Sequence, residues 1–181
     1  MTVTLARALL EYLRGGGDEA DAARARLAAG AQQGDELRGL VASALAAELR
    51  PSDRAITRWL LEQETAAHEA RGAGASEALH TLIAALARFG QLSDAMTLWR
   101  ARQATMETRA GVDPEQFARA GLSATQALLA ELSRTGGPEA AEARAALDWL
   151  NESQEEGAFD DLPAYFAWSD ERYGLQINGP T

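Results

Sequence analysis

The stretch from Ser76 to Met106 constrains the fold of this chain more than any other. Leu79, Leu82, Ile83, Leu86 and Phe89 recur there at i, i+3, i+4, i+7 and i+10, the stripe of a helix that buries one face. Gly90 ends that helix. Ser93 and Asp94, residues that cap free backbone N–H groups, open a second helix that buries Ala95, Met96, Trp99 and Met106. The small Ala95 lets the two backbones approach, and Trp99 one turn later fills the space beside it. Joined at Phe89, Gly90 and Gln91, the two form an antiparallel pair whose apolar face needs further helices to cover it.

Composition extends this reading to the whole chain. Alanine and leucine dominate its 181 residues, aromatic residues are 6%, and β-branched residues are scarce, so an all-α fold without a sheet is expected. That length suits one core, or a short array of units sharing a continuous core. The absence of cysteine excludes disulfides, thiolate zinc sites, iron–sulfur clusters and thiol nucleophiles, and suits a reducing cytoplasm. A net charge of −10 opposes non-specific nucleic-acid binding, which needs a basic surface against phosphate. All 17 basic residues are arginine, which points to a GC-rich bacterial coding sequence and excludes a lysine Schiff base. Charges lie too close to the first apolar residues for a signal peptide, and no run approaches membrane-spanning length. A soluble cytoplasmic protein without membrane contact is expected.

Turn chemistry then divides the chain. A first helix from about Val3 to Leu13 stops at Gly15, Gly16 and Gly17, and Asp18 caps a second, weakly amphipathic helix that ends near Gly30 and Gly34. From Asp35 a third helix carries Leu37, Leu40, Val41, Ala44, Leu45 and Leu49 and breaks at Arg50 and Pro51. Pro51, Ser52 and Asp53 start a fourth, which buries Ile56, Trp59 and Leu60 and closes between Gly72 and Gly74. Beyond the central pair, Asp113, Pro114 and Gln116 make a capping-box start for a helix reaching about Ser133, either whole or divided at Gly121. Thr135 to Pro138 is the next turn, and the helix after it carries Ala143, Leu147 and Leu150 up to Gly157. Asp160 to Pro163 start a last helix with Leu162, Tyr165, Phe166 and Trp168. Ile177 to Thr181 are expected to be loosely held.

Set side by side, the turns show a degenerate repeat. Ala20, Ala55, Ala95 and Ala141 hold one small core place at spacings of 35, 40 and 46 residues, with Arg24, Trp59, Trp99 and Ala145 four residues on. A period in this range signals stacked helical hairpins. Leu82, Ile83, Leu86, Gly90, Ala95 and Trp99 in the central unit, with Leu45, Ala55 and Trp59 before it, resemble the tetratricopeptide-repeat superfamily. The run from Leu79 to Pro114 also resembles the helical activation domain of some actinobacterial transcription regulators and, more faintly, a pentatricopeptide unit, whose implied RNA binding the acidic charge opposes. The tetratricopeptide resemblance implies an α-solenoid, a right-handed array of antiparallel hairpins with about nine helices. Its hairpins would span 3–33, 35–71, 76–110 and 113–156, with a terminal helix over 160–173, in one domain of residues 1–174 followed by a tail over 175–181.

The same resemblance implies a concave groove, lined by the first helix of each pair, that binds a peptide or helix of a protein partner. Its places fall at Glu77, His80, Ala84, Ala87 and Arg88, at Ser123, Gln126, Ala130 and Arg134, at Leu37, Leu40, Ala44 and Glu48, and at Tyr12. Helical spacing independently puts Glu77, His80, Ala84 and Arg88 opposite the leucine stripe. The alanines would leave room for a ligand side chain, and Arg88 with Arg134 would clamp a carboxylate through paired N–H donors. The other reading of each is an ordinary solvated residue on a polar face.

Glu77 and His80 also have the i, i+3 spacing of ligands in di-iron bundles, and Glu64 with His68 is an i, i+4 pair, but two histidines are too few for such a site. No cofactor and no metal are expected. No metalloprotease helix, phosphate loop, dinucleotide fingerprint or nucleophile elbow is present, so an enzyme is not expected. Tyr165, Phe166, Trp168 and Tyr173 either cap the open end of the array, the favoured reading, or form a partner surface able to make a homo-oligomer. The functional expectation is a protein-interaction adaptor, co-chaperone or regulatory module. Its alternative is an acidic inhibitor or immunity-type protein that blocks a basic enzyme such as a nuclease, with Glu152, Glu155, Glu156, Asp160 and Asp161 in place of phosphates.

Overall fold

The computed structural model describes residues 3–72, 74 and 76–176, and these are all-α, with no strand among them. The helices are α1 (Val3–Gly15), α2 (Gly17–Leu27), α3 (Gly34–Ala47), α4 (Arg54–Arg71), α5 (Glu77–Arg88), α6 (Ala95–Gln103), α7 (Met106–Gly111), α8 (Leu122–Leu132), α9 (Pro138–Glu155) and α10 (Leu162–Arg172). Short 3₁₀ segments lie at Pro51–Asp53, Leu92–Asp94 and Pro114–Ala120. The expectation for Ile177 to Thr181 lies outside the described residues, as does Ala73 in the break after α4. No helix among the described residues is long and apolar enough to cross a membrane.

The helix with the strongest sequence stripe is also the most enclosed. In α5, Ala78, Leu79 and every residue from Thr81 to Ala87 are buried, because α3, α4, α6 and the segment Pro114–Ala120 all pack on it. Leucine and isoleucine fill one side, and on the other the alanines let neighbouring backbones approach. Ala84 and Ala87, expected to leave room for a ligand side chain, are therefore covered, as are Leu37 and Ala44 on α3. Around α5 the packing runs outward, α1 on both α2 and α3, α4 on α6, and α8 on α9. One contiguous cluster of buried apolar side chains extends from Ala6 to Leu175.

Several local expectations change. The helix that begins after Asp94 ends at Gln103, where it was expected to run on through Met106. Thr105 Oγ1 accepts from the Thr108 N–H while Thr108 Oγ1 accepts from the Thr105 N–H, a reciprocal cap that starts α7 and leaves Met106 81% exposed. Asp113 makes no capping bond either. Its carboxylate accepts from the Tyr165 hydroxyl at 2.8 Å, and Gln116 is buried with its amide on Tyr165 and Ser169, so Pro114–Ala120 stays 3₁₀ and Gly121, at φ 98°, divides it from α8. Asp18 lies in the first turn of α2, whose cap position is Gly16.

The repeat register also moves. Asp53, Thr57, Leu60 and Glu64 are buried, and so are Asp94, Leu98, Ala101 and Thr105, each 41 residues further on. The alanine register at 40 residues is displaced by one, so Ala55 stands exposed although Ala95 is buried. Ala141 is exposed as well, because α9 buries Ala140, Ala143, Ala146 and Leu150 instead. What the two segments share is a buried carboxylate. Asp53 accepts from Arg14 Nε and Nη2 at 3.0 and 2.6 Å and from the Arg50 backbone N–H at 2.9 Å. Asp94 accepts from Arg54 at 2.9 and 3.0 Å and from Arg58 at 2.9 Å. In each case an arginine from an earlier helix fastens the start of a later one. Replacing Asp53 by Ala leaves Arg14, whose side chain is 7% exposed, with Glu11 alone as an anionic partner among the described residues. Urea unfolding should show a loss of about 3 kcal/mol for Asp53→Ala, against about 0.5 kcal/mol or less for Ala55→Ser.

Candidate interaction site

The face of α5 expected to meet a partner is crossed by the chain's own C-terminal helix. Asp170 of α10 sits between two guanidinium groups: its Oδ1 accepts from Arg119 Nη2 at 2.5 Å, and its Oδ2 lies 2.9 Å from Arg88 Nε. Arg172 pairs with Glu77 Oε1 at 3.3 Å, and Arg119 also donates to the Phe166 carbonyl at 3.3 Å and lies over the Phe166 ring at 4.2 Å. The Tyr165 hydroxyl accepts from Gln116 Nε2 at 3.0 Å while donating to Asp113. Past the helix, Leu175 is buried and the Gln176 N–H donates to the Ala46 carbonyl of α3 at 3.0 Å. The segment thus runs from Pro114–Ala120 across α5 to α3. The aromatic group of α10 meets the segment Pro114–Ala120 and its cap, with Tyr165 on Asp113 and Gln116 and Phe166 on Arg119, and Trp168 is 49% exposed.

The predicted site residues divide among several places. Glu77 and His80 share a hollow of about 320 Å³ with Gly111, Arg172 and Tyr173. Arg88 is part of the clamp on Asp170, but its fellow is Arg119; Arg134 is exposed at the end of α8 and pairs with no carboxylate among the described residues. Gln126 donates to Asn151 and Gln154 on α9, at 3.0 and 2.9 Å. Glu48 pairs with Arg7 at 3.0 Å, and Tyr12, 42% exposed, lines a separate hollow with Leu9, Glu19, Ala22, Ala23 and Arg26. Sequence spacing assigns no role to Arg119, Asp170 or Arg172, and gives Gln116 only a place in a capping box. Arg119 follows Gln116 by three residues in a stretch whose helical periodicity hides the 3₁₀ geometry that aims both at α10.

Glu64 and His68 lie elsewhere, in a buried polar network. Glu64 Oε2 accepts from the fully buried Arg38 at 2.5 Å, and Glu64 Oε1 accepts from Ser76 Oγ at 2.7 Å. His68 Nε2 is 3.2 Å from Glu64 Oε1 and 3.0 Å from Ser76 Oγ, while its Nδ1 has no hydrogen-bond partner among the described residues. A nucleophilic relay needs serine and carboxylate on opposite ring nitrogens. Here both share Nε2, and Ser76 Oγ is further occupied in accepting from the Leu79 N–H, so the arrangement joins α3, α4 and the start of α5. No group of three or more His, Asp and Glu among the described residues is placed to hold a metal.

Against known proteins, no family model, no curated protein and no solved structure matches the chain.

Electrostatics at the site follow burial. Burial pushes the Arg119 pKa down despite Asp170, and pushes the Tyr165 and Tyr173 hydroxyls up, with Asp113 adding to both. His80, half-buried against Gly111, is pushed below its ordinary value of 6.5 by burial, opposed by Glu77 and Asp113 and reinforced by Arg172 and His68. A lowered folded pKa contributes stability that is fully present above the ordinary value and is lost as pH falls through the folded value. Thermal melts should therefore show the wild type losing more stability than His80→Asn between about pH 7 and about pH 5. Equal losses would place His80 in ordinary solvent.

Proposed function

We propose that this chain is a protein-interaction module whose α5 face grips a helical segment of a partner, within a right-handed array of antiparallel hairpins like that of tetratricopeptide repeats. The succession of contacts supports the array: α1 packs on α3, α3 on α5 and α5 on Pro114–Ala120. The observation that carries the reading is Asp170 between Arg88 and Arg119, a carboxylate on a helix held by two guanidinium groups of the face. In a chain of net charge −10 such a local pair of cations favours an acidic segment. Arginine suits the task because its planar fork fixes register as well as charge. The role is binding, with adaptor, co-chaperone and regulator as its forms, and no catalytic step is assigned.

Helical peptides displayed against the immobilised full-length chain test the face. Binders are expected, and Arg88→Ala should weaken them about tenfold or more, the worth of one charge-assisted hydrogen bond. Binders indifferent to both Arg88→Ala and His80→Ala would contradict the reading.

A second reading draws on one further observation. Glu152, Glu155, Glu156, Asp160 and Asp161 are all exposed, and none forms an ion pair among the described residues. Five exposed carboxylates at the end of α9 and the link after it, of which Asp161 also caps α10, would suit an inhibitor of a basic enzyme. Release of such an enzyme by salt, and its loss on Glu152→Gln/Glu155→Gln/Glu156→Gln, would favour this reading.

A further inference from the structure

We infer that α10 is a resident competitor for the α5 face, and that the partner is an acidic helix carrying the pattern α10 itself presents, an aromatic residue followed five positions on by a carboxylate. The inference rests on the reading of that face given above.

Three observations carry it. The first is how little of α10 is buried: within the helix only Ser169 is buried, Tyr165 and Phe166 are half-buried, and Trp168 is 49% exposed. A helix that completes a core buries an apolar stripe. Within its own span this one is held by directed polar bonds, from Tyr165 to Asp113 and Gln116, from Ser169 to Gln116 at 2.8 Å, from Asp170 to Arg119, and from Arg172 to Glu77, and its apolar anchors, Tyr173 and Leu175, lie beyond its end. Such bonds exchange readily for equivalent ones on another helix.

The second observation is that the face offers more than α10 uses. Arg88 Nε, Arg119 Nε and Gln116 Oε1 are buried and lack hydrogen-bond partners among the described residues. Arg88 Nε is close to Asp170 Oδ2 as an ion pair but off the geometry of a hydrogen bond. Buried polar groups are normally satisfied, because an unmade bond costs the desolvation already incurred. Three such groups around one occupant mark it as an incomplete fit. A helix with a carboxylate at the Asp170 place and a further acceptor beside it would satisfy both guanidinium groups, and a side-chain donor would satisfy Gln116.

The third observation is the attachment. α9 is followed by a turn in which Gly157 adopts φ 82°, and α10 is tied down beyond its end by the buried Leu175 and by the bond from the Gln176 N–H to the Ala46 carbonyl, so its release frees Phe159, Tyr173 and Leu175 from the core edge while the covalent link to α9 remains. While attached it competes at high effective concentration, and the apparent affinity of any outside helix is reduced by the fraction of time the face is open.

The test uses the full chain as wild type, as Asp170→Arg and as the milder Tyr165→Phe/Asp170→Asn, with a labelled synthetic peptide of residues 158–176 as probe. Fluorescence anisotropy should show both variants binding the peptide about tenfold more tightly than the wild type, with trypsin cleaving faster after Arg172 in both. A peptide made with Asp170→Asn should bind more weakly. Three results would overturn the competitor: peptide binding equal in wild type and variants, no peptide binding by variants whose Arg172 is freely cleaved, or variants in which Arg172 stays as protected as in the wild type. The displayed helices separate this failure from that of the face. Helices that bind wild type and variants alike sink the competitor and leave the face standing, whereas a face that binds no helix even in the variants removes both readings.

Discussion

Asp53 and Asp94 lie buried at the last residues of the 3₁₀ segments that lead into α4 and α6, each held by arginines from earlier in the chain. These contacts decide how the helices sit, because the helices themselves are poor at deciding it. Alanine-rich helices carry shallow, permissive stripes, and α2 buries only Ala20, Ala23 and Leu27. Short helices of this kind owe their stability to packing rather than propensity. A buried carboxylate with a bidentate guanidinium has one satisfactory position, and a shift by one residue would leave both charges unpaired in the core. Arg38 and Glu64 repeat the device between α3 and α4.

The same pair of groups has a different consequence at the surface. Asp170 is 22% exposed and Arg88 is 35% exposed, so solvent weakens a contact that in the core would be close to permanent. At α4 and α6 the carboxylates, Asp53 and Asp94, are the buried members, whereas at α10 Asp170 meets solvent and its partner Arg119 is the buried one. On the proposed reading, that solvent access is what lets Asp170 exchange for the carboxylate of a partner helix, since an occupant that cannot leave is part of the fold.

Local chemistry makes much of the fold legible in the sequence. The stripe of α5 and its stop at Gly90, the left-handed closure of α4 at Gly72, the start of α9 at Pro138 and the cap of Ala164 by Asp161 all follow from spacing and side-chain type. Met106 was misread because it continues a helical spacing, while the reciprocal Thr105 and Thr108 cap that breaks the helix is an easily overlooked variant of the capping box. The repeat register was misread because Ala55 and Trp59 look like Ala95 and Trp99, whereas burial follows Asp53 and Asp94. At the site, Glu77, His80 and Arg88 were legible from the face of a single helix. Their partners were not. Arg119 and Asp170 lie 51 residues apart and Glu77 and Arg172 lie 95 apart, and no local pattern says which of 17 arginines meets which carboxylate.

Amide hydrogen exchange on the full chain, followed residue by residue at rising salt, measures the separation of core and occupant directly. The account predicts that residues 162–172 exchange through an opening well below the free energy that protects α5, and that salt lowers their protection while leaving Leu82 and Leu86 unchanged. Protection of α10 equal to that of α5, and insensitive to salt, would contradict it: α10 would then be a structural helix of the core, and the face beneath it would be no face at all.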